Sequence, residues 1–184
     1  LYTSYFKVPE KQGRLKTTLF VSSDGKDDAI RVIQYNIADV PENDHFSLAE
    51  KIPEQFAIVE AFNNYATVEK NEPRHSGLSM HHSSLWWKWT AESSGTVFVD
   101  TAGSDVDANI AVYRGNEIEE LLLVGRNQNY TFEKRDKGIY FDALAGKTYK
   151  LCISSPTQQD LGYVRLRVAP GGKPDINNPF LSGI

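Results

Sequence analysis

At 184 residues the chain is long enough for one ordinary domain, or one domain and a piece of another. Its 40% hydrophobic and 11% aromatic content supplies a core that a disordered chain lacks. A net charge of −4 gives no basic field for nucleic acid, and no apolar run approaches the ~18 residues that would span a bilayer, so neither nucleic-acid binding nor membrane insertion is expected. The sequence opens at Leu1-Tyr-Thr-Ser without a Met or a signal-like segment, which reads as a fragment cut from a longer precursor.

Two strand-like runs, 14–22 and 29–35, flank Ser22-Ser-Asp-Gly-Lys-Asp-Asp28. An Asp-Gly between such runs predicts a hairpin, because glycine supplies the positive φ that tight turns demand. Two or three strands cannot bury a face alone, so residues 1–40 are expected to pack on a neighbour or to be a truncated one. Proline and acids break the pattern at Ile37-Ala-Asp-Val-Pro-Glu-Asn-Asp44, a boundary. Residues 45–52 read as one helical turn with Asp44 as its N-cap. Beyond Pro53, strands are expected at 56–62, 85–90, 96–101, 109–113, 121–125, 139–144, 147–154 and 163–168. Val164, Leu166 and Val168 alternate with Arg165 and Arg167, and Ile139 and Phe141 with Tyr140 and Asp142. Short alternating strands with glycine-bearing turns predict an all-β fold, an antiparallel β-sandwich. Residues 171–184, rich in Gly, Pro and Asn, read as an exit linker.

All three tryptophans fall within Ser84-Leu-Trp-Trp-Lys-Trp-Thr90. On a strand Trp87 and Trp89 point one way, into the core, and Trp86 the other. An outward Trp86 is either a platform for a sugar ring or partner chain, or a ring covered by a loop. His75, His81 and His82 lie near Glu69 and Glu72, yet their spacing matches no zinc signature. His75 is expected to make structural hydrogen bonds in a loop. Cys152 excludes an internal disulfide, and its sequence neighbours supply neither base nor positive charge, so it reads as a small strand residue. Asp105 and Asp107 invite a hydrolase reading, but no nucleophile elbow or positioned base accompanies them.

The order of motifs resembles the bacterial pre-peptidase C-terminal domain, a β-sandwich appended to secreted proteases and surface proteins. The likeness runs from Glu42 to about Val168. It is carried by Asn43-Asp-His-Phe46, Asn64-Tyr-Ala-Thr67, Glu72-Pro-Arg-His-Ser-Gly77, the tryptophan strand, Gly103-Ser-Asp-Val-Asp107, Ala111-Val-Tyr113, Ala145-Gly-Lys-Thr-Tyr149 and Gly162-Tyr-Val-Arg-Leu166. One departure is Asn127-Gln-Asn129, where many members carry Asn-Asp-Asp. The resemblance implies a jelly-roll-like sandwich over 41–170. Residues 1–40 resemble the last strands of the immunoglobulin-like domains that repeat in bacterial surface proteins, here a partial hairpin.

What the resemblance implies for function is a non-catalytic, exported module of a larger bacterial secreted or surface protein. Its partners would be the attached domains of its own precursor and an extracellular glycan or matrix protein. Glu72, His75 and Trp86 are the candidate ligand-binding residues. The alternatives are a purely structural spacer in an adhesin, or a hydrolase fragment using the Asp105–Asp107 loop or a His75-centred metal. Collagen-binding relatives hold calcium in an Asn-Asp-bearing linker, which implies Asn43 and Asp44 as calcium ligands here, helped by Asp39 and Glu42. Ordinary turn and N-cap chemistry is the other reading of those four residues.

Overall fold

The computed structural model describes residues 13–21, 29–37, 40–75, 82–127 and 138–171. The chain divides into two units, Leu1–Asp39 and Val40–Ile184. The first holds an antiparallel pair, β1 (Gly13–Val21) and β2 (Ala29–Ile37), in a register that sets Val21 opposite Ala29. This is the expected hairpin; its turn lies outside the described residues.

The second unit is all-β. Its strands are β3 (Glu50–Lys51), β4 (Ala57–Phe62), β5 (Ser84–Thr90), β6 (Gly95–Asp100), β7 (Asn109–Arg114), β8 (Leu122–Arg126), β9 (Gly138–Ala143), β10 (Thr148–Ser154) and β11 (Tyr163–Pro170). They form two sheets, ordered β3-β5-β10-β7-β8 and β4-β11-β6-β9, and the chain changes sheet at every connection except β7–β8. Pairing is antiparallel throughout but for the short parallel contact of β3 with β5. The strands expected from period-two alternation match those observed to within two residues. Only β3 had no signal, since two residues carry no period.

The interior lies between the sheets. Leu85, Trp87 and Trp89 of β5, Ile110 and Val112 of β7, and Tyr149, Leu151 and Ile153 of β10 meet Val97, Val99, Ile139, Phe141, Val164, Leu166 and Val168 from the opposite sheet. Trp89 stands edge-on to Phe141, 6.4 Å between ring centres, and Phe141 meets Tyr149 at 5.0 Å. Each tryptophan indole N–H facing this core finds an acceptor at the rim, Trp87 on the Glu50 carboxylate and Trp89 on the Glu54 carbonyl. That satisfies the donors that burial of Trp would otherwise strand.

The outer face of the four-stranded sheet is set by the same alternation. Phe98 of β6 lies across Gly138 of β9, where an added Cβ would sit 2.5 Å from the ring. A glycine is required there by packing rather than by backbone conformation. Gly138→Ala is therefore expected to cost about 1–3 kcal/mol by overpacking. In a Phe98→Ala background, urea denaturation should show that penalty largely gone; an equal cost in both backgrounds would contradict the packing argument.

Candidate functional site

β5 presents Trp87 and Trp89 to the core, and Trp86 to the opposite side of its sheet, as alternation requires. Trp86 is not exposed. Its relative accessibility is 0%, because two loops close over it. The first is the segment from Pro41 to Ala49. Asn43 docks beside β5 like an extra strand residue: its carbonyl accepts the Trp86 N–H at 2.9 Å and its side-chain amide donates to the Trp86 carbonyl at 3.2 Å. Phe46, in the short 3-10 turn Phe46–Leu48, then stands edge-on over the indole at 5.2 Å. The ammonium of Lys150 lies 4.6 Å from the Phe46 ring centre, held below the usual lysine range by burial and then by Lys88.

The second cover is the loop from Asn63 to His75. Asp44 ties the two together, accepting the Thr67 amide and the Thr67 hydroxyl on its two carboxylate oxygens. Glu69 accepts the Phe46 amide at 2.6 Å. Within the loop Glu72 accepts the Glu69 amide at 2.8 Å, closing a turn in which Asn71 takes a positive φ of 69°. His75 then reaches down to the sheet. Its ring packs edge-on to Trp86 at 5.3 Å and to Tyr113 of β7 at 5.7 Å.

Beneath this roof lies a buried polar cluster. His75 Nε2 is 2.6 Å from Glu72 Oε1 and 3.3 Å from Cys152 Sγ, while His75 Nδ1 is 2.8 Å from the Tyr113 hydroxyl. The side chains of His75 and Glu72 are both fully buried, as is Cys152. Burial, then the nearby Glu72 carboxylate, pushes the Cys152 thiol well above its ordinary range. Burial likewise raises the Tyr113 phenol, with Cys152 and Glu72 adding to it. The thiol is therefore neutral and closed to solvent, the opposite of an activated nucleophile.

These positions correct several expectations. Trp86 offers no face to a ligand, since Phe46, His75 and Tyr113 cover it. His75 makes the structural hydrogen bonds expected of it, to Tyr113 and Glu72, and as candidate ligand-binding residues it and Glu72 are internal rather than ligand-facing. Asp44 does not cap the 3-10 turn, whose N-cap is His45 with no side-chain bond; it fastens Thr67 instead. Cys152 does have a base beside it, delivered by His75 from 77 positions away, a distance no local motif reveals. Of the four residues considered for calcium, Asn43 and Asp44 are buried in the contacts just given and Glu42 is exposed; Asp39 lies outside the described residues. His82 bonds Ser155 through its backbone, and His81 lies outside the described residues. In the Asp105–Asp107 turn the Asp105 amide donates to the Tyr163 carbonyl and Ser104 bonds Arg165, fixing the turn to β11. Asn127 brackets the first residue of β7, accepting the Ile110 amide and donating to the Ala108 carbonyl, a double role that an amide fills and a carboxylate does not.

No protein-family model matches the chain, and no curated protein sequence matches it. Among solved structures, Aeromonas hydrophila PliG, a periplasmic inhibitor of g-type lysozyme, is similar at 14% identity and TM-score 0.43, over 66% of this chain and 94% of that one. A family 35 carbohydrate-binding module from an environmental isolate is similar at 14% identity and TM-score 0.28, over 65% of this chain and 93% of that one. Among the described residues no helix is long and apolar enough to cross a membrane.

Asp44→Ala should lower unfolding free energy by about 1–3 kcal/mol, because the Thr67 amide and hydroxyl lose a buried acceptor. If the residue acts only through Thr67, the loss will be the same in millimolar calcium and in chelator. A loss confined to calcium-containing buffer would instead make Asp44 an ion ligand.

Proposed function

We propose that the sandwich is a non-catalytic binding module of the pre-peptidase C-terminal type, exported as part of a larger bacterial secreted or surface protein. Its ligand would be an extended extracellular polymer, a glycan or matrix protein, lying along the outer face of the four-stranded sheet. The observation that carries this reading is the chemistry of that face. Tyr163 and Phe62 form one aromatic pair at 5.8 Å, and Tyr140, 57% exposed, packs at 4.7 Å on Phe98, which is itself buried. The register places Tyr163 beside Phe62 and Ala169 beside Phe98, so the pairs lie six residues apart along β11, roughly 20 Å. Between them run Glu60, Arg165 and Arg167.

These groups are held in place. Arg167 pairs with Asp100, Arg165 donates to the Ala102 carbonyl at 2.9 Å, and the Tyr163 hydroxyl donates to Glu60, which raises the phenol above its usual range. A rigid row of aromatic planes and anchored charges loses little entropy when a polymer docks on it. Asn43, Phe46, Thr67, Glu72 and His75, which also carry the family resemblance, are by contrast committed to internal contacts in the two loops over Trp86. Under this reading they specify the fold, and the accessible groups of the outer sheet face, Tyr140, Tyr163, Glu60 and Arg165, determine the ligand.

The reading is tested on a glycan and matrix-protein array with the wild-type chain and the Tyr140→Ala and Tyr163→Ala variants. Retention on a polymer is expected, reduced about tenfold or more in each variant while thermal stability is unchanged. No retention on any surface would favour a structural spacer. Turnover lost in Asp107→Ala would favour the hydrolase.

A further inference from the structure

We propose that Glu72, His75 and Cys152 form a closed site for a divalent metal ion of the zinc class, with Tyr113 orienting the imidazole. The proposal does not depend on what the module binds, and the site is separate from the acidic boundary around Asn43 and Asp44.

Geometry is the first argument. One donor atom from each of the three residues converges, and all lie within 4.8 Å of one another. In a tetrahedral site with bonds of about 2.0–2.3 Å, ligand atoms stand roughly 3.2–3.8 Å apart. His75 Nε2 and Cys152 Sγ are already at 3.3 Å, and Glu72 Oε1, at 2.6 Å from Nε2, needs only to back away by under an ångström. The ion would sit where Nε2 and Oε1 now meet, leaving Nε2 bare, with the imidazole proton on Nδ1 and donated to the Tyr113 hydroxyl.

Chemistry selects the ion. A thiolate, an imidazole and a carboxylate together suit zinc, whereas calcium and magnesium take oxygen ligands. Charge balance agrees, since carboxylate and thiolate carry two negative charges that a divalent ion neutralises. Binding displaces the Cys152 proton, which leaves to solvent as the site forms.

The surroundings are those a ligating histidine requires. Nδ1, the nitrogen facing away from the ion, meets the Tyr113 hydroxyl at 2.8 Å, a group that can accept its proton and orient the ring. The second Glu72 oxygen accepts the Glu69 amide at 2.8 Å and so aims the first. Cys152 stands on β10 between β5 and β7, a position that cannot drift. Three protein ligands leave one coordination position for water or a small anion. Trp86, whose ring packs against His75, carries a buried Nε1–H with no partner among the described residues. Because the cluster is sealed, the ion enters during folding and serves to lock the loop of residues 63–75 onto the sheet.

The test is to refold the full chain from denaturant with cobalt or zinc ions, desalt it, and measure bound metal and absorption. Stoichiometric metal is expected, and the cobalt form should show sulfur-to-cobalt charge transfer with the intense visible bands of a tetrahedral site. Both should vanish in Cys152→Ala, and Tyr113→Phe should weaken metal affinity about tenfold or more. Metal retained equally by Cys152→Ala would place the ion elsewhere and overturn the proposal. If that variant does not fold, Cys152→Ser is read in the same way. A wild-type chain that refolds to the same melting temperature in zinc and in chelator, with no metal bound, overturns it directly.

Discussion

A single strand with large indole rings on both faces must be roofed on both sides, and the architecture follows from that constraint. β5 carries Trp87 and Trp89 inward and Trp86 outward, all with essentially no accessible surface. An ordinary sandwich buries one face of each sheet and leaves the other wet. Here the second sheet roofs the inner pair, while two loops with almost no regular structure roof the third ring. Each fully buried indole removes on the order of 150–250 Å² from water. The loops, lacking a ladder of their own, are held by side chains whose polar ends bond backbone groups: Asn43 on Trp86, Asp44 on Thr67, Glu69 on Phe46.

How much of this the sequence disclosed depended on the range of the signal. Strands were legible because alternation is local: Val164, Leu166 and Val168 need no partner to announce a buried face. The opposite directions of Trp86 and Trp87 were legible for the same reason. What covers Trp86 was not, because the cover comes from positions 43, 46 and 75, and only the folded chain brings them together. Cys152 illustrates the limit most sharply. Its immediate neighbours, Leu151 and Ile153, describe a strand interior, and the imidazole beside it arrives from a loop that precedes β5. Asn43 and Asp44 stand in an oxygen-rich stretch, yet oxygen-rich loops serve ions and backbone amides alike. Sequence does not distinguish a carboxylate awaiting a cation from one awaiting Thr67.

The polar interior is close to fully satisfied, which makes the exceptions informative. Asn63 alone serves the Ser155 hydroxyl, the Asp160 carbonyl and the Gly162 amide, stitching the β4 end to the loop before β11. Against that background the buried Asn109 amide nitrogen and Ser154 hydroxyl, cross-strand neighbours on β7 and β10, have no partner among the described residues. An unpartnered buried donor costs about 1–3 kcal/mol, and the Trp86 indole N–H is a third such group, so both this end of the five-stranded sheet and the clasp around Trp86 carry that cost.

The placement of the first and last strands has a mechanical consequence. The unit begins in the five-stranded sheet, through the Asn43 contact and β3 alongside β5, and its last strand, β11, belongs to the other sheet. A pull applied between Pro41 and Pro170 therefore does not unzip one ladder rung by rung. It draws the sheets against each other, so tension falls on the interdigitated side chains of the core and, at the entry point, on the short bonds that hold Asn43 to Trp86. Such a body yields abruptly rather than gradually.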